Sequence, residues 1–333
     1  MAMKRTLTAC CVVHFLVDFA CAFLLFRTLR GGAAWGELLL VYNFCAFAVQ
    51  MPLGLLADRW DRDGLVAAVG ALLVMLAYGL TALPWVAVTV VGLGNAAFHV
   101  GGGLETLSLS GERAGPLGLF VAPGAVGLFF GTLLGKDGAF PIWPVPFLLL
   151  FAAAALLWAR LDRPKQPGDP KAPRLHLALP LLLLLAVVVL RSYVGMTLTF
   201  PWKGEGRWAL VLVLALALGK AAGGYLADRF GFLRTAAGSL ALSAALLLVP
   251  GLPACGAAAV FLFNMTMPLT LWASARLLPR TRGFAFGLLT FGLFLGYVPA
   301  VFGAPALSGP AAAPWALASL ALLLPGLKKA VGK

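Results

Sequence analysis

Acidic side chains are scarce in this chain: 12 Asp and Glu stand among 333 residues, histidine occurs three times, and charged residues of both signs make up 11%. Water-soluble domains carry about 25% charged residues. So little charge excludes an ordinary soluble globule, all the more because 62% of the residues are hydrophobic and the mean hydropathy is +0.97. Polar stretches long enough for an appended soluble domain are missing as well. The five cysteines, Cys10, Cys11, Cys21, Cys45 and Cys255, all fall inside apolar runs. That placement excludes an extracellular disulfide framework and a CxxC metal pair, and leaves them as small core residues. No GKS/T follows any glycine-rich stretch, so a phosphate loop is excluded too.

What the chain has in abundance is long apolar runs. At about 20 residues per membrane crossing, the windows between Gly, Pro and charged punctuation predict helices near 6–28, 35–57, 64–83, 85–108, 115–134 and 141–160. A second set follows near 175–199, 206–227, 235–251, 254–278, 281–302 and 310–327. Between the sets, 161–174 includes Pro164, Pro167, Pro170 and Pro173, and is too polar to sit in hydrocarbon. The expected organisation is an all-α integral membrane protein: a six-helix bundle at 1–160, a cytoplasmic linker at 161–174 and a second bundle at 175–333. The amino end, in which His14 and Asp18 interrupt the apolar run, reads as an uncleaved first span rather than a signal peptide.

A net charge of +13 would suggest nucleic acid in a soluble protein, so the position of the charges decides. With the amino terminus inside, 18 of the 25 Lys and Arg fall at cytoplasmic ends and loops, and Arg191 and Lys220 fall within spans. This is the positive-inside pattern. It predicts a multi-pass protein of the cell (inner) membrane, both termini cytoplasmic, with the bilayer and not nucleic acid as its surroundings.

The two sets repeat. Gly54-Leu55-Leu56-Ala57-Asp58-Arg59 returns as Gly224-Tyr225-Leu226-Ala227-Asp228-Arg229 at an offset of 170. Asn95 then matches Asn264, Arg113 matches Arg282, Gly118 matches Gly287 and Gly127 matches Gly296, each displaced by 169. Duplication of a six-helix unit accounts for this.

A duplicated six-plus-six bundle with a G-x-L-A-D-R loop in each half resembles the major facilitator superfamily of secondary transporters. The second loop keeps the pattern through Gly231; the first has Asp61 where glycine is usual, retains Arg62 and departs again at Asp63. Within the superfamily, His14-Phe15-Leu16-Val17-Asp18, Gly94-Asn95-Ala96-Ala97-Phe98-His99 and the run from Leu119 to Gly131 look like the fosmidomycin-resistance branch of drug efflux proteins. That branch usually has proline after the histidine, where this chain has Val100. The resemblance implies the major facilitator fold over the whole chain, with helices one, four, seven and ten lining a central cavity.

Ionisable groups inside hydrocarbon cost at least about 2.5–3.5 kcal/mol each, so those retained usually serve a pathway. Here they are His14 and Asp18 on helix one, His99 and Glu105 on helix four, Arg191 on helix seven and Lys220 on helix eight. His14 and Asp18 are spaced i, i+4 and share a helical face. Counted from the cytoplasmic ends, His14 and His99 lie at similar depth, so His14, Asp18, His99 and Glu105 are the expected proton-coupling residues. The bland reading of His14 and Asp18 is an internal pair that fixes helix packing. Arg191, with its planar fork, and Lys220 are the expected contacts of an anionic substrate, with Asn95 and Asn264 beside them. For Lys220 the rival is snorkelling to the interface. In the two loops Asp58, Arg59, Arg62, Arg113, Asp228, Arg229 and Arg282 form an expected gating network in which the aspartates accept from facing helix ends.

The reading that follows is a monomeric secondary active transporter. It moves a small, anionic organic solute by alternating access, as proton-coupled efflux, with no cofactor and no resident metal. Proton-coupled uptake of the same class of solute is the nearest alternative. A divalent-metal transporter is another, since Cys10, His14 and Asp18 recur every four residues and His99 completes a set; against it stands the single soft ligand on that face. An enzyme is not expected: the nearest candidate pair, His99 and Glu105, is buried in a span away from the membrane surface.

Overall fold

The computed structural model describes residues 2–60, 62–159 and 177–332, so the expected linker at 161–174 lies outside the described residues. Among the described residues there are twelve apolar helices. They are α1 (Met3–Leu29), α2 (Trp35–Ala57), α3 (Asp63–Ala77), α4 (Pro84–Ser110), α5 (Gly115–Asp137), α6 (Pro144–Ala159), α7 (Ala178–Thr197), α8 (Trp208–Phe230), α9 (Phe232–Leu247), α10 (Pro253–Leu277), α11 (Arg282–Val301) and α12 (Gly309–Val331). All but α3, α6 and α9 are long and apolar enough to cross a membrane on their own length. The twelve follow the twelve apolar windows of the sequence in order.

Local chemistry sets the ends. Gly138 and Gly231 follow the last residues of α5 and α8 with φ of 79° and 93°, a left-handed conformation that only glycine adopts cheaply. Their N–H groups bond back to Leu134 and Ala227 at 3.1 and 2.9 Å, closing the last turn. Two helices carry single π turns, Leu25–Leu29 in α1 and Phe44–Ala48 in α2. Helix α10 is interrupted at Met265, between Asn264 and Thr266. Pro268, four residues beyond Asn264, lacks the N–H that would bond the Asn264 carbonyl, which accounts for the break.

Two compact units are present. One draws on Met1–Leu109, Pro123–Pro170 and Arg280–Phe291, the other on Ser110–Ala122, Lys171–Pro279 and Gly292–Lys333. In the first, α5 lies so close to α1 that a Cβ at Gly127 would strike the Phe15 carbonyl and one at Gly131 the Phe19 carbonyl. In the second, a Cβ at Gly296 of α11 would strike the Val189 carbonyl of α7. Small residues permit such backbone approach where no water drives helices together. Gly127 and Gly296 are the pair related by the 169-residue offset, so the sequence repeat is also a repeat of helix contacts. On α6, Phe147, Phe151 and Trp158 are more than half exposed, as is Trp143 just before it, an apolar face suited to acyl chains.

Candidate functional site

The two G-x-L-A-D-R segments place their aspartates identically. At the end of α2, the Asp58 carboxylate accepts from the N–H groups of Gly283 and Phe284, at 2.7 and 2.9 Å, at the start of α11. At the end of α8, Asp228 accepts from the N–H groups of Ala114 and Gly115, again at 2.7 and 2.9 Å, at the start of α5. The first four N–H groups of a helix have no partner within it, and the positive end of its dipole favours a carboxylate. Arg59, Arg62, Arg113, Arg229 and Arg282 lie exposed in and beside the same loops. Glu112, between α4 and α5, pairs with Arg276, and its carbonyl accepts from Trp272 Nε1 at 3.0 Å; neither contact is signalled by spacing in the sequence.

In the first unit α1 and α4 bring three ionisable side chains together. His14 Nε2 and His99 Nε2 are 2.9 Å apart, His14 Nε2 is 3.3 Å from Asp18 Oδ2, and His99 Nε2 is 3.7 Å from Asp18 Oδ1. The side chains are 6%, 12% and 19% exposed for His14, His99 and Asp18. Asn95 holds the group from one turn away. Its Nδ2 donates to Asp18 Oδ1 at 3.0 Å, while its backbone carbonyl lies 2.9 Å from His99 Nδ1. A carbonyl oxygen can only accept, so Nδ1 of His99 carries a hydrogen and the neutral ring presents a bare lone pair at Nε2. The single hydrogen between the two Nε2 atoms must then come from His14.

Gly124 of α5 covers one side of the cluster, where a Cβ would overlap both His14 Nε2 and Asp18 Oδ2. No spacing in the sequence singles this glycine out. Glu105 is buried on α4 but belongs to a neighbouring layer, where it and Thr106 interact with Cys10 of α1. Cys10 therefore stands with Glu105 rather than with the His14–Asp18–His99 group.

In the second unit Arg191 is 7% exposed in α7. Its guanidinium meets Thr270 Oγ1 of α10 at 3.4 and 3.5 Å, from Nη2 and Nη1, and no carboxylate among the described residues pairs with it. Thr270 was not singled out by the sequence, because a threonine in an apolar helix has no distinctive spacing. Lys220 is half-buried on α8, where its backbone carbonyl packs against Gly118. Asn264 donates from Nδ2 to the Val260 carbonyl of its own helix at 2.9 Å and so does not repeat the bridging role of Asn95.

No protein-family model matches the sequence, and no curated protein matches it. Solved structures do match over nearly the whole chain. The Escherichia coli fucose:proton symporter FucP is similar at 14% identity over 99% of both chains, with a TM-score of 0.66. A bacterial homologue of the iron transporter ferroportin in its outward-facing state gives 13% identity over 100% of both chains and a TM-score of 0.69. The human organic anion transporter MFSD10 gives 16% identity over 99% of this chain and 98% of its own, with a TM-score of 0.61. The helices thus have the major facilitator fold shared by these structures, and among the described residues nine of them are long and apolar enough to cross a membrane.

Proposed function

We propose that this protein is a proton-coupled secondary transporter of a small organic anion, working as an efflux protein in the inner membrane as a monomer. The observation that carries the substrate class is Arg191: a guanidinium inside a span, nearly without solvent and, among the described residues, without a carboxylate partner. An always-charged group in that setting is tolerable when a ligand supplies the counter-charge. Its fork offers two parallel N–H donors, which suits a carboxylate or a phosphonate. Lys220 adds a second positive charge on α8, and Asn95 and Asn264 complete the set of polar groups we assign to the substrate path.

The coupling ion is assigned to His14, Asp18 and His99, with Glu105 and Cys10 one layer away. Two Nε2 atoms 2.9 Å apart accommodate one hydrogen between them. A second proton would set two N–H groups against each other, so the rings must separate when it arrives. Proton binding then does mechanical work on α1 and α4, as alternating access requires. The Asp58 and Asp228 caps, with their surrounding arginines, are the elements we assign to gating. His14–Asp18 and Asn95–His99 are also the residues through which the chain resembles the fosmidomycin-resistance branch, whose direction of transport we adopt. FucP moves protons with fucose and MFSD10 moves organic anions, as their names state; both are in keeping with this reading. Uptake driven by the same site is the second reading, since the geometry of a proton site is the same in both directions.

The test is thermal stabilisation in detergent by lactate, pyruvate and methylphosphonate, scanned at about pH 5.5 and about pH 8, on either side of the histidine range. Stabilisation of the wild type that disappears in Arg191→Ala supports the assignment. Equal stabilisation of both proteins, or none of the wild type by any carboxylate or phosphonate, overturns it.

A further inference from the structure

Only three histidines occur in the chain, and two of them meet inside the spans beside a carboxylate. One ligand atom from each of His14, Asp18 and His99 lies within 4.8 Å of the others. Metal–ligand bonds of about 2.0–2.1 Å put two corners of a tetrahedron roughly 3.3 Å apart. The two imidazole nitrogens are 2.9 Å apart, and each lies near one carboxylate oxygen of Asp18, His14 Nε2 at 3.3 Å from Oδ2 and His99 Nε2 at 3.7 Å from Oδ1, so every separation is close to that length. Small side-chain adjustments bring one oxygen and both nitrogens onto a single ion.

The supporting contacts are of the kind that hold metal ligands. His99 is fixed by its Nδ1 hydrogen on the Asn95 carbonyl, which aims the Nε2 lone pair into the group. Asp18 is fixed by the Asn95 amide on Oδ1. Such outer partners set the tautomer and orientation of a ligating histidine and carboxylate. The bare backbone at Gly124 packs against His14 Nε2 and Asp18 Oδ2, where even a Cβ would overlap both atoms, and so holds the two ligands in place. Two imidazole nitrogens and one carboxylate oxygen suit zinc, cobalt or nickel, whereas magnesium and calcium prefer oxygen alone. One carboxylate against a doubly charged ion leaves a net positive charge, which a water, hydroxide or anion in the fourth position would complement.

We propose that His14, Asp18 and His99 form a three-ligand binding site for a divalent transition-metal cation, Zn2+ or its congeners Co2+ and Ni2+, with Asn95 as positioning residue and the fourth position left to a water, hydroxide or anion. The site takes the ion in place of the hydrogen shared by the rings. This goes beyond anion transport and shares with the preceding reading only the view that the cluster accepts a cation.

The experiment uses the full chain, purified in detergent on a histidine-free tag, stripped with chelator and titrated with Co2+ alone. One equivalent of Co2+ with the intense visible bands of tetrahedral coordination, displaced by Zn2+, is expected. His99→Gln and Asp18→Asn should each abolish those bands, and Asn95→Ala should weaken binding by about 10–100-fold. Should the variants fail to fold, X-ray absorption of the zinc-loaded wild type decides, since two imidazoles in the coordination shell are required. Absence of tetrahedral bands, binding unchanged in the His14→Gln, His99→Gln double variant, or a coordination shell without imidazole each overturn the proposal. The titration contains no organic anion, so its outcome is independent of the Arg191 test.

Discussion

The two sequence repeats agree at their loops and differ in their buried charges. Asp58 and Asp228 each accept two backbone N–H groups at 2.7 and 2.9 Å from a helix start. At nearly the same offset in the sequence, however, Leu184 and Val188 align with His14 and Asp18, and Arg191 aligns with Cys21. In α4 His99 bonds through its ring to the carbonyl four residues back; its counterpart in α10 is Pro268, which cannot donate to that carbonyl at all. The two copies thus share one scaffold and differ in what it holds, the His14–Asp18–His99 group in one and Arg191 against Thr270 in the other. On the function proposed above, the shared loops gate and the differing groups bind.

The comparison can be sharpened by removing each part in turn. The largest effect is expected at Arg191, where alanine should lower anion affinity by about 100-fold, in line with roughly 2–5 kcal/mol for removing one partner of a buried charge pair. Titration by a stabilising anion checks this, and Arg191→Lys should recover part of it, since the charge returns without the fork. Next comes Gly124→Val, which drives a side chain into His14 and Asp18 and should destabilise the fold by about 1–3 kcal/mol, read as a lower melting temperature. Asp58→Ala and Asp228→Ala should each cost about 1 kcal/mol as lost helix caps, and by similar amounts; a large difference between them would break the claimed equivalence. The smallest effect is expected at Asn264→Ala, about 0.5 kcal/mol, the low end for one lost hydrogen bond, because among the described residues its side chain bonds only to its own helix. Asn95→Ala should exceed it clearly in the same melting assay.

Much of this was legible in the residues themselves. The helices follow from apolar runs, because lipid forces the backbone to satisfy its own hydrogen bonds and leaves helix as the answer. The His14–Asp18–His99 group follows from i, i+4 spacing and from counting depth at 1.5 Å per residue. What could not be read was which small or neutral residue completes each site. That Asn95, expected among the substrate contacts, also bridges Asp18 and His99 is visible only in the structure. Thr270 and Gly124 take their importance from the register of α10 against α7 and of α5 against α1, and register between helices is a property of packing that no single helix encodes. The Glu112–Arg276 pair was hidden for the same reason, joining residues 164 positions apart.

The division of labour between cation cluster and guanidinium is tested most directly in proteoliposomes carrying an internal pH dye, with an anion that stabilises the purified protein. Wild type should show both anion counterflow and a dye response when the anion is applied. Asp18→Asn should keep counterflow and lose the dye response, whereas Arg191→Ala should lose both. An unchanged dye response in Asp18→Asn, or full counterflow in Arg191→Ala, would contradict the account.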